Sequence, residues 1–257
     1  MSQSPAPFVW YELMTTDAAA AEKFYKDVVG WKAQDMSQGD MKYTGLLAAD
    51  MPVAGLMALP KDACAAGAKP GWTGYIGVDD VDTIAGRVTK AGGKIHVPPT
   101  NIPNVGRFAM VADPQGTAFC LFKPDTDMPR PAADPNKPGI VGWHELYAVD
   151  GEKAFPFYAD LFGWTKAEAM DMGAMGVYQL FAAGGAPIGG MMTKPPGVPV
   201  SFWNYYFQVD GIGAAMERLK VGGGSVINGP MEVPGGNWIV QGLDPQGAMF
   251  SLVSAHA

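Results

Sequence analysis

Two glutamates stand in matching short contexts: VWYEL at 9–13 places Glu12, and GWHEL at 142–146 places Glu145. A carboxylate among aromatic side chains can be held above its ordinary pKa and act as a general base, or it can bind a cation. It can equally accept hydrogen bonds from backbone or a neighbouring side chain inside the domain. Cys120 offers a thiol, but a nucleophile needs a base and a group that orients it. The phrase DPQG recurs at 113–116 and 244–247, and seven residues past its two aspartates stand Cys120 and Ser251, so the thiol has no repeat partner. No G-x-S-x-G elbow frames a serine. His96, His144 and His256 share no ligand spacing, and His144 points to the strand face opposite Glu145. The glycine runs at 222–224 and 234–236 lack the Lys and Ser/Thr of a phosphate loop, and they read as turns.

These residues are positioned by a duplication. VWYELMTTDAAAAEKFYKDVVGW (9–31) aligns with GWHELYAVDGEKAFPFYADLFGW (142–164), and YTGLLAADMPVAGLMALP (43–60) with YQLFAAGGAPIGGMMTKP (178–195). Trp72, Val78, Asp79, Gly92, Gly93, Pro99 and Pro103 then match Trp203, Val209, Asp210, Gly223, Gly224, Pro230 and Pro234. The spacing predicts two domains, 6–124 and 140–255, joined by a proline-rich linker at 125–139. Inside each copy a strand leads to Asp17 as a helix N-cap. Ala21, Phe24, Tyr25 and Val28 follow at helical spacing, and Gly30 stops the helix. Strands are expected at 32–36, 42–49 and 52–59. The second half repeats the plan: TGYIGV, a helix capped by Asp80 and carrying Val81, Ile84 and Val88, then KIHV, RFAMVA and TAFCLF. Each copy is therefore βαβββ twice, an α+β architecture of sheets with helices on one face.

Composition narrows the function classes. The 257 residues carry 48% hydrophobic and 17% charged side chains, enough apolar material for packed cores. A net charge of −7 argues against a nucleic-acid partner and leaves room for a cationic ligand. Two cysteines make neither a disulfide framework nor a thiolate cluster. No signal-peptide pattern opens the chain and no apolar run is long enough to span a membrane, so a soluble cytoplasmic protein is expected.

Four βαβββ modules, the helix text FYKDVVGW or FYADLFGW, and DPQG before a last strand resemble the vicinal oxygen chelate superfamily of glyoxalases, bleomycin resistance proteins and extradiol dioxygenases. The two-domain glyoxalase-like proteins of bacteria look most similar. The resemblance implies two tandem glyoxalase-like domains, each a cupped mixed sheet of two modules with helices outside. It also implies a divalent metal held by His and Glu facing the cup. At the implied ligand positions this chain carries Trp10, a site near Gly55, Thr73 and Cys120 in one copy, and Trp143, Gly190, Asn204 and Ser251 in the other. None is a histidine or carboxylate, so no cofactor is expected and a divalent metal is disfavoured.

Strand parity adds Tyr75 and Phe122 to the first cup face, and Tyr147 and Tyr206 to the second, a lining suited to a flat or apolar ligand. The same aromatics would also fill a closed core. The resulting expectation is a protein acting on or binding a small organic molecule without the usual metal. One version is a lyase or isomerase using Glu12 or Glu145 as base on a carbonyl compound. Another is a sequestering protein of the bleomycin-resistance type, and a third is a metal-dependent glyoxalase or dioxygenase with ligands from other positions. The partner is a small molecule, and the assembly is a monomer of pseudo-symmetric domains or a homodimer.

Overall fold

The structure, a computed structural model, describes residues 4–126 and 134–257. Within the linker predicted at 125–139, residues 127–133 lie outside the described residues.

Each repeat contains two βαβββ modules. The first repeat runs β1 (Phe8–Thr15), α1 (Ala18–Val29), β2 (Lys32–Asp35), β3 (Thr44–Ala48) and β4 (Met51–Ala58). A short helix α2 (Lys61–Ala65), which has no counterpart in the periodicity of the sequence, leads to its second module. That module is β5 (Gly71–Gly77), α3 (Val81–Lys90), β6 (Lys94–Ile102), β7 (Gly106–Ala112) and β8 (Ala118–Pro124). The second repeat begins with β9 (Val141–Ala148), α4 (Gly151–Phe162), β10 (Thr165–Asp171), β11 (Val177–Ala182) and β12 (Pro187–Thr193). It ends with β13 (Phe202–Gln208), α5 (Ile212–Val221), β14 (Ser225–Glu232), β15 (Trp238–Leu243) and β16 (Met249–Ser254).

In every module the first strand pairs in parallel with the last, and the remaining pairs are antiparallel. The strands form two eight-stranded sheets, ordered β2-β3-β4-β1-β5-β8-β7-β6 and β10-β11-β12-β9-β13-β16-β15-β14. No helix among the described residues is long and apolar enough to cross a membrane.

The helix ends follow the local chemistry. Asp17 takes the Ala20 N–H at 3.0 Å, Asp80 the Thr83 N–H at 2.8 Å and Asp150 the Lys153 N–H at 3.1 Å, each satisfying a first-turn donor. Gly30 and Gly163 close α1 and α4 at φ +85° and +67°, in the left-handed region.

Packing density divides the chain into two compact units, and each joins one module from either repeat. Among the described residues one holds 4–9, 73–126 and 144–203, and the other 10–72, 134–143 and 204–257. In the first unit, Tyr158 of α4 is fully buried. It donates to Asp113 Oδ2 at 3.0 Å and accepts from Trp203 Nε1 at 3.2 Å. In the second, Tyr25 of α1 donates to Asp244 Oδ2 at 3.1 Å and accepts from Trp72 Nε1 at 2.9 Å. The other oxygen of each aspartate takes two backbone N–H groups of its own turn, from Gln115 and Thr117 or from Gln246 and Ala248. DPQG is thus a turn whose aspartate also anchors a tyrosine contributed by the other repeat.

Burial raises the Asp244 carboxyl above its ordinary range, against the pull of its backbone donors. Burial, and then the Asp244 charge, push the Tyr25 hydroxyl well above its usual value. Arginines repeat the theme. Arg87 of α3 donates to the Asp160 carbonyl of α4 at 2.6 Å, and Arg218 of α5 to the Val28 carbonyl of α1 at 3.1 Å. Both satisfy carbonyls that a helix C-terminus leaves open.

Candidate functional site

The strand faces opposite these cores carry the residues singled out in the sequence. In the second unit, Glu12 of β1 lies in parallel register with Gly55 of β4, and only 8% of it is exposed. Tyr43, just before β3, lays its hydroxyl over Gly55, so closely that a Cβ there would fall 1.8 Å from the oxygen. Trp10 Nε1 donates to that same oxygen at 3.0 Å.

The first unit holds the matching arrangement. Glu145, 7% exposed, is in register with Gly190, and the ring of Tyr178 covers that glycine at 2.1 Å from a virtual Cβ. Both glycines are required by this close approach, because any larger residue would displace the tyrosine. Strand alternation explains why Glu12 and Glu145 share a face with Trp10 and Trp143. It does not reveal Tyr43 and Tyr178, whose only trace in the sequence is that they head the aligned stretches YTGLL and YQLFA.

The second modules differ from one another. In the first unit, Tyr75 of β5 stands opposite Cys120 of β8, and Met110 of β7 pairs with Cys120 from the other side. Phe122 meets Tyr75 edge-on at 6.2 Å, and Thr73 and Cys120 are buried. In the second unit the same register holds polar groups. Asn204 Nδ2 donates to Ser251 Oγ at 2.8 Å, and both residues are at most 1% exposed. Gln241 Nε2 donates to the Tyr206 hydroxyl at 2.7 Å, and Asn228 Nδ2 to Gln241 Oε1 at 3.1 Å. Trp143 packs with Val233 against Tyr206, Ile239 and Val253. Gln241 and Asn228 were not foreseen, since their counterparts are Met110 and Val97 and no repeated polar signal marks them.

Two further residues of β9 stack on neighbouring rings. Tyr147 stacks on Phe202 at 5.1 Å within the first unit. His144 is buried, stacks on Phe8 at 4.3 Å and bonds the Ile188 carbonyl through Nδ1 at 2.7 Å. Desolvation lowers its pKa to about 4, so the ring is neutral at physiological pH and packs as an aromatic. His96 and His256 are exposed.

The donor set decides how well a metal fits. Among the described residues no group of three His, Cys, Asp or Glu side chains could hold an ion. At the implied ligand positions the chain places an indole bonded to a tyrosine, a glycine under a tyrosine ring, and an amide bonded to a serine. These are neutral groups already engaged with one another, which do not suit a divalent cation.

Comparison with known proteins fixes the family. The model of the glyoxalase/bleomycin resistance protein/dioxygenase superfamily matches residues 8–121 and again 140–252. The chain belongs to this superfamily. Among relatives, CFP32 of Mycobacterium bovis, whose name proposes it as a glyoxylase, is 34% identical, covering 95% of this chain and 93% of that one. The anthracycline biosynthesis protein DnrV of Streptomyces peucetius is 32% identical, covering 97% of this chain and 94% of its own. Two solved structures share the glyoxalase-superfamily fold at low identity. The Mn(II)-bound glyoxalase from Novosphingobium aromaticivorans has a TM-score of 0.65 at 17% identity, covering 99% of this chain and 83% of that one. The 2,3-dioxygenase LapB from Pseudomonas sp. KL28 has a TM-score of 0.68 at 12% identity, covering 100% of this chain and 94% of its own.

Proposed function

We propose that this superfamily member acts on a small carbonyl-bearing organic molecule, as a lyase or isomerase, without a metal at the family's usual positions. Glu12 and Glu145 are the bases of this reading. The observation that carries it is the repeated constellation of a buried glutamate in register with a glycine that seats a tyrosine ring, found in both repeats. A carboxylate at such a site can take a proton from the carbon next to a carbonyl. Returned to a neighbouring carbon, the proton completes an isomerisation. If a leaving group instead departs from the next carbon, a double bond forms and the reaction is an elimination. The tyrosine ring over each glycine supplies an aromatic wall close to the carboxylate.

Trp10, Thr73, Tyr75, Cys120 and Phe122 of the first repeat, with Trp143, Tyr147, Asn204, Tyr206 and Ser251 of the second, are the proposed ligand-contacting set. Similarity to a relative named for anthracycline biosynthesis supports an organic small molecule as the partner. Glu12→Gln and Glu145→Gln should each lower turnover of a responsive carbonyl compound by at least a hundredfold, with binding retained. If both variants turn over normally, the glutamates are not bases. If wild type binds carbonyl compounds but converts none, the protein is a sequestering one, which the aromatic faces and the acidic net charge also support.

A further inference from the structure

We propose that the face formed by β13, β15 and β16 is a neutral subsite that accepts a flat, apolar ligand through a hydroxyl or amide N–H donated to Asn204 Oδ1. This deepens the reading above and rests on it, because it assumes that these faces hold small molecules. Asn204 Nδ2 is used by Ser251 Oγ, yet Asn204 Oδ1 has no hydrogen-bond partner although it is wholly buried. Buried carbonyl oxygens without a donor are uncommon in native proteins, and each asks for an explanation. A donor carried by a bound molecule supplies one.

The surroundings define what that molecule is. Tyr206 and Ser251 are register partners, and so are Gln241 and Ser251, so amide and hydroxyl groups are brought side by side. No member of the bonded pair Asn204–Ser251 or of the chain Asn228–Gln241–Tyr206 is ionisable near neutral pH, so the recognition they offer is directional and uncharged. Beside it, Trp143, Ile239 and Val253 give an apolar wall against which a ring can lie. The homologous face of the first repeat carries Thr73, Cys120, Met110 and Val97 at these register positions and offers no amide. Recognition of the donor is therefore a property of one repeat alone.

Two probes test this directly: 2-naphthol, which carries a hydroxyl donor, and 2-methoxynaphthalene, which has the same ring and no donor. Their dissociation constants can be read from tryptophan fluorescence. Wild type is expected to bind the naphthol about tenfold more tightly, the worth of one hydrogen bond to a buried neutral acceptor. Asn204→Leu should bring the ratio close to one, while the exposed Thr89→Val on α3 leaves it unchanged. Should Asn204→Leu not fold, the pair Asn204→Thr with Ser251→Cys installs the first repeat's own residues and serves the same purpose. Equal binding of the two probes by wild type, or a preference that survives these substitutions, overturns the subsite. Binding of neither probe overturns the small-molecule reading of the faces as well, so the two failures are told apart.

Discussion

The two compact units share their core chemistry and differ on the opposite face. On the core side, Tyr158, Asp113 and Trp203 in one unit repeat Tyr25, Asp244 and Trp72 in the other, bond for bond. On the other side, Thr73, Cys120 and Met110 stand where the second repeat has Asn204, Ser251 and Gln241. A buried acid that closes a turn and holds a tyrosine has few substitutes, because removing it leaves several donors unpaired. A face that only has to be filled or to meet a ligand can change from sulfur and methyl groups to amides. Across the duplication the anchors are kept and the opposite face has diverged.

If the anchors are equivalent, breaking either should be costly. Asp113→Ala and Asp244→Ala are each expected to lose about 3 kcal/mol or more, since a buried tyrosine and two turn amides lose their acceptor. Urea denaturation measures both, and a large cost in only one would show that the anchors are not equivalent. The second test concerns the strand position occupied by Tyr11 in one repeat and His144 in the other. His144 is neutral when folded, with a pKa of about 4, and protonates near 6.5 when unfolded. Its folded pKa is depressed, so the stability it contributes is present above pH 6.5 and lost as the pH falls toward 4. The loss across that window is about 3 kcal/mol. His144→Tyr, which copies the first repeat, should flatten that part of the stability–pH curve.

The amide pair gives a smaller effect. Ser251→Ala alone leaves the Asn204 amide without its acceptor and should cost about 1–2 kcal/mol. Adding Asn204→Leu should recover much of it, because replacing both partners by apolar groups is nearly neutral. Additive losses would mean that the two side chains do not act as a pair. The smallest expected effect is the pH dependence carried by Asp244. Asp244 has a raised folded pKa, so it binds more protons folded than unfolded and stabilises the fold on acidification. Wild type should therefore gain stability relative to Asp244→Asn as the pH drops from 7 toward 4. The reverse trend would show that the carboxyl is held ionised by its donors.

Much of the fold could be read from residues. The duplication, the caps at Asp17 and Gly30, and the βαβββ order rest on local spacing, which a single chain displays. The pairing of modules across the repeats does not. The Tyr25–Asp244 bond joins residues 219 apart, and nothing in local periodicity says which buried tyrosine meets which turn. The same holds at the candidate site. Glu12 and Glu145 stood out because they recur on matching strands. The tyrosines over Gly55 and Gly190 come from the residue before β3 and from β11, and their placement follows from contact. Gln241 and Asn228 differ from their counterparts in the other repeat, so alignment of the chain with itself passes over them.

We propose that this member of the superfamily works through Glu12 and Glu145, with neutral side chains at the positions where the family resemblance implies metal ligands. The most direct test is calorimetric titration of the chelator-treated protein with Mn²⁺, Ni²⁺ and Zn²⁺. The account predicts no saturable binding at one ion per repeat, and the same flat response in the Glu12→Gln and Glu145→Gln variants. Stoichiometric, tight binding of any of these ions that is lost on substituting either glutamate would contradict it.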